Sequence, residues 1–474
     1  MNRILLCCIS ITLSLTSCLK DSSDDNDYAY FGGEIINPNR SYVTLISPKK
    51  QSTDTIPLDE NNRFLFKIDN LNPGVYRYMH GPEYQMVVLE PNDSLMLRLN
   101  TFDFDESLVY SGEGAKKNNF YLELFLSNEK DNQKLVNYWK LVPEKFDSLM
   151  LYKRNKKLSI LDDFLKKKVC TDLFKEIAKA RINYNYYSSK EIYPFGYYGY
   201  NKLVHVKDLP ENFYEYRSEI NYSNSKLTDT YTYNRFLSWH FNNIALYNYY
   251  GEEYSHKEFN RYSKPYNAAK LELIDSLVSD VYLKNNMLKY SVKDYISDSN
   301  DFLVSEDLLR IFNEKSTNQK DKETLNELFE SLKRLKPGNP IPNVQLVDYN
   351  NKTLDLVDII EKPTVIYFWS SNFKHHYRNS HSIVKGLKKE FPEVNFIAIN
   401  VNNSYDTYIR NTLNESDFPS SNEFRFKLPE DALKTLAISS VDKVLVLDKN
   451  KRIVHSNANL FDDTFGEILV KSLQ

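Results

Sequence analysis

The sequence predicts a multidomain chain: an N-terminal antiparallel β-sandwich, an α-helical middle and a C-terminal α/β domain. Three observations carry this reading. Short β-forming runs separated by polar turns occupy residues 28–115. Apolar residues at helical spacing occupy 116–335. Beyond the Pro/Gly-rich segment Lys336-Pro337-Gly338-Asn339-Pro340-Ile341-Pro342, apolar strands alternate with helical stretches through residue 474. At 474 residues the chain is too long for one ordinary domain.

Charge and composition narrow the function classes. The net charge of −3 offers no concentrated basic face, so nucleic acid is not an expected partner. The 36 tyrosines and 27 phenylalanines serve either half-buried packing positions or an aromatic ligand platform. Of the four cysteines, Cys7, Cys8 and Cys18 lie in the first 18 residues, which leaves Cys170 alone in the body. One cysteine builds no internal disulfide framework.

Residues 1–18 read as an export signal. Arg3 supplies the positive start, Ile4–Leu15 the apolar stretch, and small residues follow. The run is too short to span a bilayer as a helix. Leu15-Thr16-Ser17-Cys18 resembles a bacterial lipobox, which implies acylation of Cys18 and attachment to a membrane through it. Residues 19–27 are polar and acidic without hydrophobic pattern, the composition of a solvated tether. Leu19 after the cysteine implies an outer-membrane address. The acidic cluster fits either a surface-export signal or a plain spacer, so the periplasmic and surface faces both stay open.

Within 28–115 the strand runs include Glu34–Ile36, Tyr42–Ile46, Phe64–Ile68, Tyr84–Leu89 and Ser94–Leu99, with turns at Asn37-Pro38-Asn39, Asp59-Glu60-Asn61-Asn62, Asn72-Pro73-Gly74 and Glu90–Asp93. No cysteine or His/Asp cluster marks a metal or catalytic site there. Their order resembles a β domain of unknown function that precedes thioredoxin-like domains in exported bacterial lipoproteins.

Residues 116–335 are expected to be helical and tyrosine-rich, with helices including Leu173–Tyr187, Tyr231–Tyr249, Ala268–Leu283, Ser305–Asn313 and Lys320–Lys333. Tyr193–Tyr200 reads as an aromatic loop with two glycines. Tyr197, Tyr198 and Tyr200 are candidate ligand-binding residues for a sugar or peptide; the competing reading is core packing. Cys170, between helical segments, reads as a half-buried structural thiol.

In residues 336–474, the strand Thr364–Phe368, a helix from about Phe373 to Glu390 and the strand Val394–Val401 predict a right-handed βαβ unit. An antiparallel hairpin turning at Asp448-Lys449-Asn450 and a last helix over Phe461–Leu473 complete the domain. The segments Lys336–Pro342, Asn351-Lys352-Thr353, Lys362-Pro363, Phe368-Trp369-Ser370-Ser371 and Leu447–Val454 together resemble the TlpA-like and peroxiredoxin-related branch of the thioredoxin superfamily. The resemblance implies a thioredoxin-like fold and a thiol–disulfide site just after Phe368-Trp369.

The working residues of that family are missing. The positions of its two cysteines fall on Phe373 and His376, with Lys374 and His375 between them. Disulfide exchange needs thiolate attack, and neither side chain contains sulfur. The family's cis-proline, counted back six positions from Asp448, falls on Asp442, where a trans, reshaped loop is expected. His375, His376 and His381 lack the spacing of four that puts two ligands on one helix face, so no metal is expected, nor any cofactor. The leading expectation is a lipid-anchored envelope protein with a redox-inactive thioredoxin-like domain that binds a peptide or protein partner. The alternatives are a family member with residual or altered redox function, and a surface nutrient- or glycan-capture protein.

Overall fold

The computed structural model describes residues 27–196, 208–250, 259–299, 301–348, 350–402 and 422–473. Cys18, Tyr197, Tyr198 and Tyr200 lie outside them, as do the signal peptide and the tether up to residue 26.

Eight strands come first: β1 (Tyr28–Ile36), β2 (Tyr42–Ile46), β3 (Thr53–Pro57), β4 (Arg63–Asp69), β5 (Gly74–His80), β6 (Glu83–Leu89), β7 (Ser94–Asn100) and β8 (Val109–Glu113). They form two four-stranded sheets, ordered β4-β1-β7-β8 and β3-β2-β5-β6. The expectation of a purely antiparallel sandwich needs correction, because β1 and β7 run parallel, with Tyr30 beside Ser94 and Ile36 beside Asn100. The pairing brings the chains very close: a Cβ on Gly33 would sit 2.1 Å from the Leu97 carbonyl oxygen. β3, β5 and β8 were not among the expected runs.

Among the described residues nine α-helices follow: α1 (Ala115–Asn132), α2 (Leu135–Tyr138), α3 (Pro143–Lys167), α4 (Asp172–Gly196), α5 (Tyr231–Tyr250), α6 (Lys264–Leu277), α7 (Val281–Asp298), α8 (Phe302–Lys315) and α9 (Gln319–Arg334). Two expectations fail here. The single helix over 268–283 is two, because Asp280 caps a new one by accepting from the Leu283 amide at 2.9 Å. Tyr193–Gly196 is the end of α4 rather than loop. Tyr193 is fully buried, stacked on Phe146 with centroids 4.1 Å apart, so packing draws the helix past the sequence's turn signal.

α1 seals both sheets through adjacent amides. The Asn118 side chain accepts from the Val88 amide at 2.8 Å and donates to its carbonyl at 2.9 Å. Asn119 does the same for Tyr110, at 3.0 and 2.9 Å. β6 and β8 are edge strands, so these two amides replace the missing neighbour of each sheet. The second sheet is buried on both faces. Tyr76, Tyr78, Val87 and Leu89 enter the sandwich core, while Val75 and Val88 enter the helical core.

The last region contains β9 (Gln345–Asp348), β10 (Thr353–Asp355), β11 (Thr364–Trp369), α10 (Lys374–Glu390), β12 (Asn395–Asn400), β13 (Glu423–Phe426), α11 (Pro429–Thr435), β14 (Val444–Leu447), β15 (Ile453–Ala458) and α12 (Phe465–Leu473). Its sheet is ordered β10-β9-β13-β12-β11-β14-β15. β11 and β12 are parallel and joined by α10; β14 and β15 form the antiparallel hairpin. Leu335 joins the core beneath one face of this sheet, with Leu328 and Leu332 of α9 packed against it. No helix among the described residues is long and apolar enough to cross a membrane.

Candidate functional site

All six residues of β11 are buried, which is why the segment reads as an unbroken apolar run. Ile366 and Phe368 point into one core, and Val365, Tyr367 and Trp369 into the other. The chain then turns sharply. The Phe373 amide donates to the Ser370 carbonyl at 3.1 Å, the Asn372 amide to Ser370 Oγ at 3.1 Å, and the Ser371 amide to Asn402 Oδ1 at 3.1 Å. α10 starts at Lys374, with Phe373 in the capping position and no side-chain cap.

The two positions that would carry thiols are occupied differently. Phe373 is 49% exposed at the mouth of the turn. His376 is nearly enclosed, with Nε2 3.3 Å from Asp442 Oδ1. The residue at the motif and the residue on the loop, which the resemblance implies lie opposite each other, are therefore adjacent in space. Among the described residues every peptide bond is trans, those of the loop at Asp442 included. Burial lowers the His376 pKa, and Asp442 opposes that shift without overturning it. The ring is thus neutral at pH 7, and its edge meets Phe461 at 5.5 Å between centroids. The other ring nitrogen, Nδ1, is buried with no hydrogen-bond partner. Ser371 Oγ nearby in sequence is likewise buried and unpartnered. No hydroxyl or thiol among the described residues reaches His376 Nδ1, so no nucleophile–base pair exists there.

The three histidines diverge. His375 is exposed, His376 faces Asp442, and His381 points inward. His381 Nε2 lies 2.7 Å from Glu423 Oε1, and Trp369 Nε1 donates to Glu423 Oε2 at 3.1 Å. His381 Nδ1 lies 2.9 Å from the Tyr377 carbonyl oxygen. A carbonyl only accepts, so Nδ1 carries a proton. A second proton then lies between Nε2 and Glu423, on one or the other, and the buried pair is neutral overall in both cases. Glu423 did not emerge from the sequence. Its one local signal is an acid at the entrance of an apolar strand; its partners lie 42 and 54 positions away.

Asp442 is held by Ser440, whose hydroxyl donates to Oδ2 at 2.9 Å. The next residue, Lys443, is buried and donates to the carbonyls of Leu436 and Ala437 at 3.0 and 2.9 Å, at the end of α11. Beside this loop a cleft of about 220 Å³ opens between Asp298 and Leu332 of the helical region and Ser439, Asp442 and Asn459. On the other side, Arg40 of the sandwich donates to Asn372 Oδ1, directly before Phe373. Both other regions thus reach the margins of the motif. Cys170 does not: it is half-buried between α3 and α4, where burial, helped by the Glu90 carboxylate, pushes its thiol pKa up.

No family model matches the chain. No curated protein matches it. Among solved structures it is similar to the thioredoxin domain of a thiol-disulfide oxidoreductase from Bacteroides vulgatus, at 15% identity over 29% of this chain and 99% of that one, with a TM-score of 0.26. It is also similar to a thioredoxin-like protein from Bacteroides caccae, at 14% identity over 44% of this chain and 78% of that one, with a TM-score of 0.31.

Proposed function

We propose that the chain is a lipid-anchored envelope protein whose thioredoxin-like region binds a peptide or protein partner and performs no thiol–disulfide exchange. The observation that carries this reading is the state of the two motif positions: a half-exposed Phe373 and a neutral His376 paired with Asp442. Such a site has no thiolate to attack a disulfide. It retains an exposed ring for an apolar side chain and, around it, buried polar atoms whose hydrogen bonds are unmade. In this reading the anchor is Cys18, and Leu19 after it gives the outer-membrane address.

The direct test is a peptide library screened against the protein by fluorescence polarisation, repeated with Phe373→Glu. Binding reduced about tenfold by that change supports the reading, since it removes an apolar contact worth about 1.4 kcal/mol. Insulin reduction by the wild type that disappears in Cys170→Ser would sink it. Palmitate labelling lost in Cys18→Ala tests the anchor separately.

A further inference from the structure

A cavity of about 540 Å³ lies between the β3-β2-β5-β6 sheet and helices α5, α6 and α7. Its size is within the range of small-molecule sites. The sheet contributes Val75, Arg77, Tyr84 and Met86 of β5 and β6; the helices contribute Phe241, Lys270 and Tyr290 among others. Its walls are fixed, because Val75 and Val88 of the sheet and Phe241 and Ile274 of the helices share one core.

Among the described residues two cations in this cavity have aromatic rings beside them, Tyr266 at 5.6 Å from the Lys270 ammonium and Tyr84 at the Arg77 guanidinium, but no hydrogen-bonded anion. Lys270 on α6 is only 9% exposed, and among the described residues its ammonium makes no hydrogen bond or ion pair. Arg77 has its Nε buried without a hydrogen-bond partner, and its guanidinium stands 5.8 Å from the centre of the Tyr84 ring. A buried charge is ordinarily paired. The acids at the cavity do not fill that role. Asp229 already accepts from the Lys49 amide at 2.9 Å and from the Thr228 hydroxyl at 3.1 Å, and Asp294 is exposed at the rim. Lys50 adds a third positive group to the lining. Tyr84 and Tyr290, 44% and 61% exposed, offer rings around it.

We propose that this cavity binds a small organic oxyanion, a carboxylate or phosphate ester on a ring-sized body, with Lys270 and Arg77 as its charge partners. The oxyanion completes the hydrogen bonding that both cations lack, and the apolar and tyrosine walls cover the body of the molecule. This site is separate from the Phe373 groove and stands whether or not that groove binds a peptide.

The test is calorimetric titration of the full chain at low salt with benzoate, phenyl phosphate and uncharged benzyl alcohol. At least one anion is expected to bind, and the tighter of the two assigns carboxylate or phosphate. Lys270→Met and Arg77→Met are each expected to weaken that anion about tenfold or more, with thermal unfolding still cooperative. In the wild type the same anion is expected to slow acylation of Lys270 by acetic anhydride, read by peptide mass, which needs no variant to fold. Binding unchanged in Lys270→Met, benzyl alcohol binding as tightly as the anions, or no binding by either anion overturns the proposal.

Discussion

Lys270 and Lys443 are the same residue in two regions of the molecule. Both are buried, and burial pulls the pKa of each down to about 8. At the loop facing the motif, Lys443 gives its protons to two carbonyls at a helix end, where backbone dipoles favour a cation. In the cavity, Lys270 has no such acceptors among the described residues, and the carboxylate that acts on it, Asp294, is exposed. Burial by itself therefore does not distinguish a structural ionised group from a binding one; the completeness of its hydrogen bonding does. Glu191 on α4 is the limit of completeness. Its carboxylate accepts from Tyr216, Arg217, His240 and Asn243, at 2.8, 3.0, 2.7 and 2.8 Å. Burial alone would push its carboxyl up, but Arg217 and His240 overrule it and hold it at about 2.

The largest effect is expected at the most complete site. Glu191→Gln leaves the Arg217 guanidinium without its counter-charge and is expected to cost roughly 3–5 kcal/mol in urea unfolding. Because the folded pKa lies below the ordinary 4.5, wild-type stability from this group is present above pH 4.5 and lost as pH falls toward 2. The variant is expected to show a flatter acid limb by roughly 3 kcal/mol. An acid limb as steep as the wild type's would show that Glu191 is not ionised in the fold.

Lys270→Met is expected to act in the opposite direction and raise stability by roughly 2 kcal/mol at pH 7, since it removes a buried charge that has no hydrogen-bonded partner among the described residues. Lys443→Met is expected to lower stability by roughly 1–2 kcal/mol, since the carbonyls of Leu436 and Ala437 lose their donor. The same sign for both, measured by chemical denaturation, would erase the distinction between the two lysines. The smallest expected effect concerns alkaline pH. Between pH 8 and about 10 the unfolded chain keeps protons that the folded lysines have released, so stability rises with pH. Each Met variant is expected to reduce that rise relative to wild type, and equal slopes would mean that neither lysine titrates near 8.

The strand–turn–helix through Trp369 and Lys374 was legible because both of its periods are local. A six-residue apolar run, a turn and a 3.6-residue stripe lie consecutively in the chain. The adjacency of His376 and Asp442 was legible only through a resemblance that supplied the count back from Asp448. Glu423 was not legible, because an acid at a strand entrance has many ordinary explanations until His381 and Trp369 are found around it. Tyr193 was read as loop because Pro194 and Gly196 are turn formers, yet stacking on Phe146 keeps it helical.

By itself the sequence determined what depends on neighbours along the chain: the alternation of strands, the helical stripes and the absence of sulfur from the motif at Phe373 and His376. The tertiary structure alone decided the parallel alignment of β1 with β7, the sealing of two sheet edges by Asn118 and Asn119, and the opposite circumstances of Lys270 and Lys443. The reason is physical. Secondary structure follows from side-chain period and backbone sterics within a few residues, whereas whether a buried charge is satisfied depends on which distant atoms packing brings within hydrogen-bonding distance.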